Sequence, residues 1–410
     1  MKKLNVIFYR EENEKVLVGQ LAESRNRIYF EYDPAFLAAP PWLSPFKLPP
    51  KPGLHEHKDR NFGPIFGLFD DSLPDGWGLT LMDRFFRKQG INVAKLSILD
   101  RLAFLASSTM GALTYEPAMS YDDGNYASGK FDLHLLSEQS RKIMEGQTDT
   151  VLPQLMRAGG SPGGARPKIL VGINKDRMIS GENDLPQNFE HWIIKFNSKN
   201  DLPDSGAVEF AYSLMARMGG IEMSETRIFE TKSGDRFFGI KRFDRMDNRR
   251  FHVHTLGNML HVNFRIPSMD YEELFKVIRI LTENHQETLR GFRQMIFNLL
   301  ANNRDDHVKN FAFMMDDSQE WKLTPAYDLT FSDGPGGEHS MTLLGEGRSP
   351  GKNEIVQLGK RAGLTTVEIN RCLDQVIQAV NAWPDHARAA NVTNKTATLI
   401  KSVIQRNLKA

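Results

Sequence analysis

Near residue 246 the sequence changes from a strand-rich to a helix-rich pattern. Before this point, short runs rich in Val, Ile, Phe and Tyr alternate with polar turns, as in residues 4–33, 168–173 and 191–196. Beyond it, apolar residues recur at helical spacing, most clearly in residues 271–281, 286–301, 367–383 and 396–408. The chain is therefore predicted to be α+β, with a mostly helical C-terminal part.

Composition narrows the class of protein further. The chain has 410 residues, which exceeds one ordinary core, and its 40% hydrophobic and 25% charged residues are typical of a soluble globular protein. The net charge of +1 comes without a basic block, so strong independent nucleic-acid binding is not predicted. One cysteine, Cys372, excludes a disulfide framework and fits a reducing compartment. No apolar run approaches a membrane span, and the N-terminus does not resemble a signal peptide, so a cytoplasmic location without membrane contact is expected.

Three domains are predicted along the chain. Residues 1–120 begin with a small antiparallel sheet and continue through a Pro-rich stretch into a turn and helix at 69–89. A polar, Gly-containing segment at 122–128 marks the first boundary, and an α/β lobe follows at 121–245. Residues 246–410 form the helical lobe, which an irregular segment interrupts at 302–351. Irregular segments on a rigid scaffold are where functional sites tend to lie.

The strongest chemical signal lies in this irregular segment. Arg304-Asp305, four residues and Asn310 reproduce the spacing of a kinase catalytic loop. Asp305 would accept the proton of an attacking hydroxyl, and Asn310 would reach a metal bound to the phosphates. The alternative is a solvated polar turn after a helix.

A second signal is Asp328. A predicted hairpin, with strands at 311–314 and 321–323, would return Asp328 to the side of Asn310. An aspartate and an asparagine offer hard oxygen ligands, which magnesium prefers. The alternative is an aspartate that caps a helix or closes a turn.

Two further signals lie in the α/β lobe. Lys195 interrupts an apolar strand, and Glu209 on the next predicted helix is its natural partner, together holding the α and β phosphates. An edge-strand lysine reaching to water is the alternative. The glycine cluster 159–164 precedes a strand and could cradle phosphate, although a plain loop is the better explanation of this cluster taken alone. All four signals occur in the order that a protein-kinase-like fold requires.

These residues resemble the motifs of HipA-type serine/threonine kinases, from about residue 15 to 385. The matching segments are Leu73-Pro74-Asp75-Gly76, Gly163-Gly164-Ala165-Arg166-Pro167-Lys168, Arg242-Phe243-Asp244-Arg245, Asp305-Asp306-His307-Val308-Lys309-Asn310 and Pro325-Ala326-Tyr327-Asp328. The resemblance implies a two-lobed protein-kinase-like fold, in which the N-terminal α/β lobe carries an added small β subdomain.

The resemblance also implies roles for individual residues. Gly163, Gly164, Ala165 and Lys168 would approach the ATP phosphates. The backbone of Arg242 and Phe243 would contact adenine, and Asp244 would reach the ribose. His307 would orient the catalytic loop, and Lys309 would offset charge on the γ-phosphate. Ser161 matches a serine that such kinases autophosphorylate, which ejects the loop, although Pro162 would stiffen it here.

Such proteins are toxins of bacterial toxin–antitoxin pairs. They use ATP and magnesium to phosphorylate protein targets, in studied cases aminoacyl-tRNA synthetases. A helix-turn-helix antitoxin neutralises them and links them to DNA. Two other functions remain open on the residues alone: a small-molecule phosphotransferase of the aminoglycoside type, and a catalytically silent nucleotide-binding component of a repressor complex.

Overall fold

The computed structural model describes residues 1–119, 131–148, 151–159, 163–198 and 202–409. Within them the chain contains both sheets and helices, which agrees with the predicted α+β class. No helix in these ranges combines the length and the apolar character needed to cross a bilayer.

The strands follow one another in chain order. They are β1 Lys2–Glu11, β2 Glu14–Ser24, β3 Arg27–Tyr32, β4 Leu54–Glu56, β5 Leu113–Glu116, β6 Lys168–Asn174, β7 Arg177–Ser180, β8 Glu190–Lys195, β9 Thr226–Glu230, β10 Arg236–Lys241, β11 Arg245–Met246, β12 Arg249–Arg250, β13 His252–Thr255, β14 Met269–Asp270, β15 Ala312–Met315, β16 Trp321–Leu323 and β17 Met341–Thr342.

The helices include every one that the sequence predicts, with ends shifted by a few residues. They are α1 Pro34–Leu37, α2 Gly67–Asp70, α3 Gly76–Lys88, α4 Ile98–Leu105, α5 Leu133–Met144, α6 Pro153–Gly159, α7 Ser205–Met218, α8 Leu256–Leu260, α9 Tyr271–Thr282, α10 His285–Leu300, α11 Lys352–Arg361, α12 Thr366–Asn381, α13 Trp383–Ala389 and α14 Asn394–Asn407, with 3₁₀ turns at Val93–Lys95 and Pro335–Gly337.

Contacts divide the chain into two compact units. Unit 1 comprises residues 1–201, 229–254 and 258–261, and unit 2 comprises residues 202–228, 255–257 and 262–410. This division does not follow the chain, because α7 groups with the C-terminal helices although strands precede and follow it in sequence. The three-domain division with boundaries at 120 and 245 stays a prediction.

Unit 1 begins with an antiparallel sheet in the order β4-β3-β2-β1-β5. Alternate residues of β1, β2 and β3 are buried, among them Leu4, Val6, Leu21 and Phe30. This period of two places one face on the core and the other toward solvent. The small sheet predicted for residues 4–33 is thus confirmed, and β4 and β5 extend it.

The second sheet of unit 1 has the order β7-β6-β8-β10-β9. Its central strands β6 and β8 are apolar, and Ile169, Val171, Trp192 and Ile194 belong to one buried cluster with Trp77 of α3. The strands predicted at 168–173 and 191–196 are confirmed. Strand β7 was not predicted, because its residues are partly exposed and lack an apolar run.

Unit 2 is built from helices that pack around α10. Twelve residues of α10 are buried, which agrees with its central place. Tyr212 of α7 contacts Phe297 of α10 and Trp383 of α13, with ring centroids 6.0 and 5.5 Å apart. Capping boxes begin α9 at Asp270 and α12 at Thr365, where side chains satisfy backbone N–H groups that the helix itself leaves unpaired. The short strands β15 and β16 form the predicted hairpin.

Candidate active site

In unit 1, the turn before α3 holds the glycine loop that precedes β6. Asp75 occupies the N-cap position of α3, yet its side chain does not cap that helix and instead accepts a hydrogen bond from the backbone N–H of Gly164. The backbone N–H of Trp77 donates to the Gly164 carbonyl at 3.1 Å, and its indole N–H donates to the carbonyl of Lys168 at 3.1 Å. Two residues at the start of α3, Asp75 and Trp77, therefore hold the loop at Gly164 and at Lys168.

Gly164 itself has a conformation that favours glycine. Its φ is +96°, and the Lys168 ammonium occupies the space where a Cβ would lie. A side chain at this position would strain the backbone and displace the lysine. The structure shows a bend beside a lysine at this point, and phosphate binding by the loop stays a prediction.

Lys168 and Lys195 face each other across strands β6 and β8. Their Cα atoms are register partners, and the residues are only 6% and 9% exposed. Directly opposed residues of an antiparallel pair share one face of the sheet. The Lys195 ammonium also lies 5.6 Å from the ring centroid of Phe238 on β10. Two ammonium groups on neighbouring positions of one buried face favour an anion beside them, and a polyphosphate matches that charge.

The segment predicted to contact adenine and ribose is buried in an ion-pair network. Both carboxylate oxygens of Asp244 accept hydrogen bonds: Arg242 donates two, at 2.8 and 2.7 Å, and Arg245 and the Gly111 N–H each donate one, at 2.8 Å. Burial would raise the pKa of Asp244, but the guanidinium groups of Arg242 and Arg245 outweigh it and hold that pKa well below its usual range. These interactions within the protein speak against the predicted ribose contact. The Arg242 N–H donates to the His191 carbonyl at 2.9 Å, so an adenine contact would need other backbone atoms of Arg242 or Phe243.

In unit 2, the predicted catalytic loop begins where α10 ends. Asn302 takes a left-handed conformation, with φ of 58°, which turns the chain out of the helix. The loop then closes on itself: the Asn310 N–H donates to the His307 carbonyl at 2.8 Å, and the Asn310 side-chain Nδ2 donates to the Asp305 carbonyl at 2.6 Å. This second bond joins the two residues that the sequence assigned to proton and metal chemistry.

The two neighbouring aspartates of the loop lie in opposite environments. The side chain of Asp305 is 57% exposed, whereas Asp306 is completely buried. Asp306 accepts hydrogen bonds from the Tyr271 hydroxyl at 2.6 Å, from His339 Nδ1 at 2.9 Å and from the Ser340 N–H at 2.8 Å. No role was predicted for Asp306, although its position directly after the proposed base could have indicated one.

His307 lies beside Asp305 and is oriented by its own loop. Its Nδ1 accepts the Lys309 N–H at 3.2 Å, which leaves Nε2 to carry the proton of a neutral imidazole. That Nε2 is 4.0 Å from Asp305 Oδ1. The ring of Phe264 packs against His307 at a centroid distance of 5.4 Å and receives the Lys309 ammonium at 4.8 Å. The orienting role predicted for His307 is consistent with these contacts and stays a prediction.

The hairpin of β15 and β16 brings Asp328 back toward the loop. Phe313 pairs with Leu323, and the Thr324 N–H donates to the Ala312 carbonyl at 3.0 Å. The residues that follow β16 therefore run back beside those that precede β15, toward Asn310. The hydroxyl of Tyr327 then donates to the Lys309 carbonyl at 2.7 Å. Asn310 and Asp328 each directly follow one of these two bonded residues in the chain, and their joint binding of a metal stays a prediction.

The described residues fit a magnesium site of the kind that nucleotides complete. They contain no group of three or more His, Cys, Asp and Glu side chains placed to hold a metal by themselves. Magnesium usually binds one or two protein oxygens together with phosphates and water. Because Asn310 Nδ2 donates to the Asp305 carbonyl, its amide oxygen is the atom left to face a cation.

Comparison with known protein families agrees with these local features. The model of the HipA-like C-terminal domain matches residues 160–383, which is more than half of the chain, and that of the HipA N-terminal domain matches residues 13–116. The chain belongs to the HipA family. Both matches include loop segments described above, since Asp75 lies in the N-terminal match and Lys168, Asp305 and Asp328 lie in the C-terminal match.

The curated relatives that the chain matches share less than a third of their aligned residues with it. The putative kinase Y4dM of Sinorhizobium fredii is 28% identical over 153 residues, covering 34% of this chain and 36% of that protein. A putative kinase of Haemophilus influenzae is 28% identical over 194 residues, covering 44% and 54%. The aligned parts span about a third to a half of the length of these curated relatives.

A solved complex of the Shewanella oneidensis MR-1 toxin–antitoxin system, with HipA, HipB and operator DNA, contains a similar chain. The TM-score is 0.71 at 16% identity, and the match covers 99% of this chain and 96% of that one. This likeness establishes the fold and confirms the predicted α+β, protein-kinase-like class.

Three predictions about residues of the HipA-type motifs remain untested. Lys195 belongs to unit 1 and the buried Glu209 to unit 2, so their pairing is untested. The convergence of the glycine loop and lysines with Asp305, Asn310 and Asp328 is untested for the same reason. The autophosphorylation candidate Ser161 and its neighbour Pro162 lie outside the described residues.

Proposed function

We propose that this chain is a cytoplasmic, ATP-dependent serine/threonine protein kinase of HipA type. The observation that carries the proposal is the internal geometry of the catalytic loop. The side chain of Asp305 is exposed, and its backbone carbonyl accepts a hydrogen bond from the side chain of Asn310. The next residue, Asp306, is anchored through its own buried carboxylate. Family membership and the naming of two relatives as putative kinases support the same activity.

The residues of unit 1 would bind the phosphates of ATP. The N–H groups of Gly163 and Ala165 would line the loop, since that of Gly164 donates to Asp75. Lys168 and Lys195 would supply positive charge on the adjoining sheet face. Such preorganised charge acts on the negative charge of the transferring group, and it does so most strongly where water is excluded. Glu209 would keep Lys195 in place.

The residues of unit 2 would carry the transfer. The γ-phosphoryl group passes from ATP to the hydroxyl oxygen of a Ser or Thr, and the hydroxyl proton passes to Asp305. His307 would keep the loop oriented, and Lys309 would offset phosphate charge. Asn310 and Asp328 would hold magnesium, which when bound neutralises charge on the β and γ phosphates.

As partners we propose a protein substrate, which is an aminoacyl-tRNA synthetase in family members already studied, and a helix-turn-helix antitoxin that neutralises a toxic kinase. DNA would then be reached through the antitoxin. Support comes from the Shewanella oneidensis complex, in which HipA is assembled with HipB and operator DNA. The near-neutral net charge of +1 fits indirect rather than independent DNA binding.

The experiment is phosphate transfer from γ-labelled ATP, with purified chain and a bacterial lysate as the source of substrates. Wild type should label protein on Ser or Thr. Asp305→Ala should lower the rate by about 10²- to 10⁴-fold, the usual contribution of a general base, while ATP still binds. Asp374→Ala, an exposed aspartate on α12, is the matched control. Labelling of an aminoglycoside but no protein would favour the small-molecule enzyme, and ATP binding without turnover would favour the silent repressor component.

A further inference from the structure

Directly beneath the proposed catalytic loop lies a buried polar network centred on Asp306. Its carboxylate accepts three hydrogen bonds, from Tyr271 on α9, from His339 and from the backbone of Ser340. Asn298 of α10 donates to the Tyr271 hydroxyl at 3.1 Å, and Asn303 donates to Asn298 at 2.9 Å. The network therefore links two helices, the catalytic loop and the chain at 339–340.

The same chain segment is bonded to the loop backbone. The Ser340 N–H and hydroxyl both lie 3.1 Å from the Arg304 carbonyl and donate to it. Arg304 in turn donates from its guanidinium to the Gly337 carbonyl. Both residues that flank Asp305 are thus fixed by one segment, residues 337–340, whereas the Asp305 side chain extends toward solvent.

The segment is also fixed on its other side. Thr342 and the Gly345 N–H donate to Asp270 Oδ2 at 2.7 and 2.8 Å, and Asp270 is the N-cap of α9. Strand β17 pairs with β14 in parallel, which places Met341 beside Met269. Residues 337–345 are therefore a strap between α9 and the catalytic loop, held by hydrogen bonds at each end.

We infer that Asp306 and His339 are positioning residues for the proposed base Asp305, an inference that rests on the proposed function. The Asp306 carboxylate is an acceptor only, and its three donors lie on elements that do not otherwise belong to the loop. Fixing Asp306 fixes the backbone on which Asp305 stands, and small displacements of a catalytic group are costly in rate. Buried, fully satisfied polar groups specify one arrangement where apolar packing would allow several.

The test compares three substitutions of His339 and Tyr271. His339→Ala removes the Nδ1 donor, His339→Asn retains a donor at the same place, and Tyr271→Phe removes the second donor while keeping the ring. His339→Ala and Tyr271→Phe should each lower kcat by about 10-fold to 10²-fold with KM for ATP unchanged, since displacement of a reacting group acts on the transfer step. His339→Asn should restore most of kcat. Asp374→Asn, exposed on α12, should change nothing.

A second measurement does not depend on kinase activity. Hydrogen exchange of the backbone amides in residues 303–310 should be faster in His339→Ala than in wild type, and His339→Asn should reverse this. Unchanged exchange and unchanged kcat in His339→Ala would overturn the inference. If wild type transfers no phosphate but the exchange difference is present, the positioning contact stands and the proposed function fails instead.

Discussion

At the scale of single residues, two adjacent aspartates have different surroundings and therefore different proposed roles. Asp305 and Asp306 are the same residue type in consecutive positions, yet one reaches solvent and the other accepts three buried hydrogen bonds. Burial and the neighbouring Asp306 charge raise the pKa of Tyr271 well above its usual value, so this tyrosine remains a donor to Asp306 at any physiological pH. We infer that the anchored neighbour gives the exposed carboxylate a defined place.

Gly164 offers a test of the glycine loop at the residue scale. Gly164→Ala should strain the backbone, at a cost of about 1 kcal/mol or more, and push the Lys168 ammonium from its place. We expect weaker binding of ATP, seen as a higher dissociation constant in calorimetry. Gly53→Ala is the matched control, because Gly53 has φ of +100° and nothing within 4 Å of an added Cβ. Equal ATP affinity in both variants would remove the loop from the binding site.

At the scale of secondary-structure elements, the sequence predicted local segments better than the contacts that support them. The loop 303–310, the hairpin before Asp328 and the lysine strand were each visible, because spacing and apolar runs are local signals. The elements that hold them were not. Asp75 was read as a turn residue, but it binds Gly164 from 89 positions away in the chain. Long-range hydrogen bonds of this kind leave no periodic trace in a single sequence.

The hinge segment illustrates the same limit. Arg242-Phe243-Asp244-Arg245 resembled the hinge segment of HipA-type kinases, and nucleotide contacts of Arg242, Phe243 and Asp244 stay a prediction. Its charges, however, are engaged with each other and with Gly111 in another element, which the local sequence does not reveal. Resemblance identifies a segment, whereas the partners of its side chains decide what each residue does.

Asp244 should therefore act on stability. Asp244→Asn leaves two buried guanidinium groups without their carboxylate, and removing one partner of such a pair typically costs about 3 to 5 kcal/mol. The free energy of unfolding should fall by this amount in urea denaturation. Asp176→Asn, exposed in the turn between β6 and β7, should leave it unchanged. Because the folded pKa of Asp244 is depressed, its contribution is present above the unfolded pKa and is lost only as pH falls below it. A stable Asp244→Asn with altered ATP affinity would return the residue to the binding site.

At the scale of the whole molecule, three histidines with lowered pKa values make unit 1 sensitive to acid. Burial, the first cause in each case, lowers the pKa of His191, His252 and His261 from 6.5 to about 4. Between these values the unfolded chain binds more protons than the folded one, so the free energy of unfolding falls as pH falls from about 6.5 to about 4. Each histidine contributes a slope of up to about 1.4 kcal/mol per pH unit.

Thermal unfolding followed across this pH range checks the prediction. The unfolding temperature should drop steadily below pH 6.5 and should be flat between pH 7 and 8, where these histidines are neutral in both states. His252→Asn should reduce the slope if the variant folds, and a wild-type curve that is flat from pH 7 to 5 would contradict burial of neutral histidines.

The proposed function depends most on ATP binding that requires both Lys195 and Asp328. Calorimetry of ATP with magnesium, on the intact chain, measures this directly. One ATP should bind per chain, and Lys195→Met in unit 1 and Asp328→Asn in unit 2 should each weaken it by about tenfold or more, since hydrogen bonds to charged groups contribute about 1.5 to 3 kcal/mol. Lys142→Met and Asp374→Asn, both exposed, should bind ATP as wild type does. Unchanged ATP affinity in either Lys195→Met or Asp328→Asn would contradict the proposed function.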